Sequence, residues 1–143
     1  MPAAGSSEEI AEKEAFIISP DTSEDAIKAK EQTIYQLGEL YAIRGEGAKL
    51  AQLLTNLRPF FATIPKARTA KVVRTLIETA AKIPDSMALQ MSLCRESIEW
   101  CKAEKRSFLR QRIQTRLADL LLKSKQYTEA LALLAELQRE VKR

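Results

Sequence analysis

Histidine is missing altogether from this 143-residue chain. Its absence removes the commonest general base and metal ligand of enzymes, and with it any cysteine–histidine nucleophile pair. Cysteine is almost as scarce, with Cys94 and Cys101 the only two. They stand seven residues apart in a stretch that reads as helix, so about 10 Å of rise separates them, beyond the ~7 Å that a disulfide can span. Two thiols at that spacing cannot complete a structural zinc site either. No glycine-rich phosphate loop, G-x-S-x-G or HExxH pattern occurs, so no metal, cofactor or enzymatic activity is expected.

Aromatic residues make up 6%, and there are only four glycines and five prolines. A sandwich or barrel needs many more turn residues, so the fold class expected is all-α. Long apolar runs are missing too. Nothing approaches the ~18 residues of a membrane span, and Met1 opens no secretory signal pattern. A protein of the cytoplasm and nucleus with reduced thiols is the expectation, without membrane contact.

What remains is 45% hydrophobic and 29% charged, enough for one core of ordinary size. Residues 1–64 carry 6 basic and 10 acidic side chains, and residues 65–143 carry 17 and 9. The polarity would steer an acidic partner toward the carboxy-terminal half.

Residues 1–20 read as a weakly ordered segment or short helix. Ser23, Glu24 and Asp25 then supply a capping oxygen and first-turn acids for a helix running to about residue 44. Ile27, Ile34, Leu37 and Tyr41 share one face of it, and Gly45 stands where a left-handed terminating residue is wanted. Leu50, Leu53, Leu54 and Leu57 define an antiparallel return helix, which Pro59 should kink or end. Phe60 and Phe61 follow as apolar anchors, one ring inside and the other available to a partner. Pro65 opens a helix lined by Val73, Leu76, Ile77 and Ala80. After a stop and cap at Pro84 and Asp85 come Met91, Cys94, Ile98 and Cys101, which makes the cysteines members of a core stripe; Trp100 beside them reads as core. Ser107 can cap the next helix, with Leu109, Ile113, Leu117, Leu120 and Leu121. A last one starts near Tyr127, with Ala130, Leu134, Leu137 and Val141. Strand-like alternation is missing throughout.

Leu37-Gly38-x-x-Tyr41 with Gly45 matches the first helix of a tetratricopeptide repeat, where a small residue permits close helix approach. The same template falls on Leu117, Ala118, Leu121, Tyr127 and Ala130, 80 residues further on. Residues 21–143 are therefore read as a tetratricopeptide-like α-solenoid of about three antiparallel helix pairs, each roughly 40 residues long. Leu131, Leu133 and Leu137 on the last helix imply that another repeat covers it. Such an array works as a scaffold, and its cationic side chains are the candidates for partner binding. Lys66, Arg68, Lys71 and Arg74 form one basic set; Lys105, Arg106, Arg110, Arg112 and Arg116 form a denser one. Reversal of Arg106 and Arg110 to Glu is expected to weaken partner binding with helicity intact. Interleaved aromatics are lacking, so nucleic acid is not an expected partner.

Several segments also resemble a known family. Lys30-Glu31-Gln32, Leu57-Arg58-Pro59-Phe60-Phe61, Lys66-Ala67 with Ala70-Lys71-Val72-Val73-Arg74, and Glu99-Trp100 followed by Glu104-Lys105-Arg106-Ser107-Phe108-Leu109-Arg110-Gln111 are similar to the non-ATPase regulatory subunit eleven family of the 26S proteasome lid. The resemblance implies a non-catalytic scaffold that bridges the lid to the α-ring of the core particle and to the ATPase ring in ubiquitin-dependent degradation. Its implied partners are core-particle α subunits, ATPase-ring subunits and other lid subunits. Members of that family continue into further repeats and a PCI domain, neither of which this sequence reaches, so a truncated solenoid is expected. The reading that needs no family is a tetratricopeptide-like adaptor for a peptide or an acidic protein surface.

Overall fold

The computed structural model describes residues 6–141, so residues 1–5 and the side chain of Val141 lie outside what can be compared with expectation. Every regular element among the described residues is helical: α1 (Ser7–Ile17), α2 (Glu24–Ile43), α3 (Gly47–Asn56), α4 (Arg58–Phe61), α5 (Lys66–Ala80), α6 (Met87–Ala103), α7 (Ser107–Lys123) and α8 (Tyr127–Val141). The all-α expectation is met. Two compact units divide the chain, Met1–Pro84 and Asp85–Arg143.

In the first unit α2 is the hub, packing against α1, α3 and α5. Of the four residues that periodicity selects, Ile34, Leu37 and Tyr41 are buried, with Gly38 beside them, whereas Ile27 near the start of the helix is only half-buried. Gly38 is small for a reason: a Cβ there would lie 2.8 Å from Leu76 Cδ2 on α5. Leu76 is itself fully buried and has little room to move. Ser23 caps α2 by accepting a hydrogen bond from Ala26 N at 3.3 Å. Ahead of that cap, the buried Lys30 donates from Nζ to the carbonyls of Ser19 (2.5 Å) and Asp21 (2.6 Å), tying the α1–α2 connection down. Pro59 sits in the first turn of α4, and Phe61 is 1% exposed while Phe60 is half-buried.

In the second unit α7 lies between α6 and α8. Met91, Cys94, Ile98 and Cys101 are buried, as are Leu109, Ile113, Leu117, Leu120 and Leu121. Burial pushes both free thiols up to about 11, against the opposing pull of nearby arginines. On α8 the expectation holds for Ala130 and Leu137 but not for Leu134, which is 37% exposed. Leu134 belongs to a second stripe with Tyr127 and Leu131, spaced i, i+4, i+7, whose side chains are all exposed.

One turn recurs. Residues 44–46, 104–106 and 124–126 each place a left-handed residue after a helix: Gly45 (φ 68°), Lys105 (φ 56°) and Lys125 (φ 65°). In each the next N–H reaches back five residues, from Glu46 to Tyr41, Arg106 to Cys101 and Gln126 to Leu121, all at 2.8 Å. This is the Schellman arrangement. Counting Asp85 (φ 54°), the left-handed positions fall at 45, 85, 105 and 125. Helix starts at Met87, Ser107 and Tyr127 keep the same step of 20 residues.

Two expected caps are corrected by these turns. Ser107 is the first residue of α7, and Arg106, which accepts no side-chain cap bond, holds the cap position. Asp85 is likewise the left-handed residue, and Ser86 takes the cap of α6.

Candidate interaction surface

On α5, Lys66 and Lys71 are exposed, whereas Arg68 and Arg74 are half-buried. Arg68 Nε lies 3.7 Å from Glu31 Oε1 on α2, and Arg74 Nε donates to Ala70 O within its own helix at 3.4 Å. Outward cationic reach in this set therefore belongs to the two lysines.

The denser set divides more sharply. Arg110 donates to both carboxylate oxygens of Glu140 on α8, at 2.9 and 2.8 Å, and Gln111 adds a third bond to the same carboxylate at 3.1 Å. Those bonds hold the guanidinium protonated beyond its ordinary range. Arg106 carries its guanidinium 4.8 Å above the Trp100 ring, a cation–π contact that closes the α6–α7 turn. Arg116 is half-buried, its charge acting on Cys94. At 100° per residue Arg110 and Arg112 point about 200° apart, so the five residues cannot form one face. Arg106 and Arg110 thus have intramolecular roles, and reversing them would cut into the fold before it tested a partner.

Lys105 and Arg112 are left over. Both are exposed, and neither side chain makes an ion pair with a described residue. Between them sits Phe108, 87% exposed in the first turn of α7. In the sequence Phe108 stands out only as part of a motif, and the signal that marks it is its place one helical turn before Arg112.

A groove in the first unit was not anticipated at all. It has a volume of about 320 Å³ between α1 and α3, with Ile17, Tyr41 and Leu53 as its apolar floor. Glu14, Lys49, Gln52 and Asn56 form the polar rim. Burial and the adjoining Glu14 carboxylate raise the Tyr41 phenol far above its ordinary range, so that it stays a neutral donor.

Comparison with known proteins gives a consistent result. Residues 3–124 match the family model of the 26S proteasome regulatory subunit RPN6 N-terminal domain. A 26S proteasome non-ATPase regulatory subunit 11 homolog of Arabidopsis thaliana is 51% identical over 98% of this chain and 33% of its own length. The subunit 11 of Dictyostelium discoideum is 39% identical over 89% of the chain and 30% of its own length. The regulatory subunit RPN6 of Saccharomyces cerevisiae is 39% identical over 80% of the chain and 26% of its own length. The chain spans about a third of the curated relatives it matches.

Proposed function

The chain belongs to the family of the RPN6 amino-terminal domain of the 26S proteasome, and from that membership we propose that it is a non-catalytic scaffold module of the proteasome regulatory-particle lid. In this reading it bridges the lid to the core-particle α-ring and the ATPase ring during ubiquitin-dependent degradation, in the cytoplasm and nucleus. The observation that carries the reading is the 51% identity to a proteasome regulatory subunit along nearly the whole chain. Consecutive helix pairs in a 40-residue step agree with it, because such pairs leave faces for partners while their apolar stripes bury one another. The relatives are named as regulatory subunits, which supports a role in holding rather than in chemistry.

Affinity purification of the full-length gene product tests this. Core-particle and ATPase-ring subunits should co-purify in stoichiometric amounts. Clean purification away from every proteasome subunit would overturn it.

A tetratricopeptide-like adaptor is the second reading, and the groove between α1 and α3 is the observation that favours it. Its floor accepts one large apolar side chain, and Gln52 and Asn56, one turn apart, could hydrogen-bond a peptide backbone. Peptide-array binding without proteasome association would make this the better account.

A further inference from the structure

Phe108 is the most exposed large hydrophobic side chain among the described residues, although a regular helix rather than a loop holds it in place. Its neighbours in sequence are accounted for by the fold. Arg106 covers Trp100, Leu109 is buried, and Arg110 and Gln111 hold Glu140. Phe108 has no comparable task. Four residues on, Arg112 lies only about 40° further round α7, and Lys105 stands in the left-handed turn three residues before. Neither cation is committed to a carboxylate among the described residues.

An aromatic ring on a rigid helix costs little entropy to bury, and unpaired cations beside it select the charge of whatever buries it. We propose that Phe108, flanked by Lys105 and Arg112, is the anchor by which this chain docks on another protein, its ring entering an apolar socket rimmed by carboxylates. The net +4 of residues 85–143, from 12 basic and 8 acidic side chains, favours the same partner. A single exposed ring offers no platform for successive bases, so nucleic acid fits less well. The proposal rests on the scaffold reading and adds to it an anchor residue and the chemistry of the surface it meets.

Photocrosslinking tests it in the full-length protein, with p-benzoylphenylalanine in place of Phe108. The expected product joins position 108 to an acidic segment of a proteasome subunit. A crosslink to an acidic segment of some other protein would keep the anchor and remove the scaffold reading. Crosslinks confined to the same chain, crosslinks to nucleic acid, or none, would overturn the anchor. Affinity for the captured partner should fall about thirty-fold in Phe108→Ala and less in Phe108→Leu. Lys105→Glu with Arg112→Glu should weaken binding and flatten its salt dependence. Alanine is the better helix former and the ring lies outside the core, so Phe108→Ala should match wild-type circular dichroism. Unchanged affinity in that variant defeats the proposal.

Discussion

The two units solve the problem of burying helices differently. In the first, α2 is enclosed by three neighbours, and a glycine at position 38 lets α5 come close. In the second the helices follow one another, α6 on α7 and α7 on α8, and the last keeps a leucine stripe in solvent. Charge differs as well, since residues 1–84 carry 11 basic and 11 acidic side chains against 12 and 8 beyond them. An enclosed hub makes a unit whose stability concentrates in one helix. A linear succession spreads stability along its helices.

The largest test of that contrast is a pair of truncations. Leu37→Ala, at 0% exposure in the hub, should destabilise by roughly 2–5 kcal/mol, whereas Leu137→Ala, at 8% on α8, which packs chiefly on α7, should stay near the bottom of that range. Equal losses in urea unfolding would erase the distinction.

A second test uses pH and belongs to the second unit, where both cysteines lie. Their folded values of about 11 exceed the ordinary thiol value of 9.0. The neutral thiols therefore contribute stability that is fully present below about pH 9 and lost as pH rises toward 11, because the unfolded chain sheds protons that the folded one keeps. A loss of roughly 2–3 kcal/mol per thiol is expected over that window. Cys94→Ala with Cys101→Ala should flatten the profile, and a slope that persists would place the effect elsewhere.

The smallest effects come from the shared turn. Glycine occupies its left-handed position in the first unit and lysine does so twice in the second. Left-handed backbone costs a side-chain-bearing residue about 1 kcal/mol, so Gly45→Ala should lower stability by that amount, while Lys105→Gly and Lys125→Gly should each raise it. Thermal melts resolve such differences. Opposite signs at the lysines would show that their side chains contribute more than the strain removes.

What could be read in advance follows the range of the physics involved. Apolar stripes recur every three or four residues, a local signal, and α2, α3, α5, α6 and α7 bury almost the side chains that periodicity selects. Gly45 was legible because glycine advertises its backbone; Lys105 and Lys125 were not, since lysine gives no hint of positive φ. The basic sets failed as single faces because pairing is tertiary. Arg110 finds Glu140 thirty residues away, and nothing near Arg110 in the chain foretells it. Lys30 was invisible as a buried donor for the same reason: its acceptors are backbone carbonyls of a connection that had first to fold back.

The regular placing of the left-handed residues constrains how such a chain can change length. Inserting one residue between two turns would rotate every following side chain of that helix by about 100° and turn its leucines outward. Adding or deleting a whole block of 40, one antiparallel pair, keeps each side chain on its proper side and each helix in its alternating direction. Viable length variants of this chain should therefore differ in whole pairs, with single-residue gaps gathered at the corners.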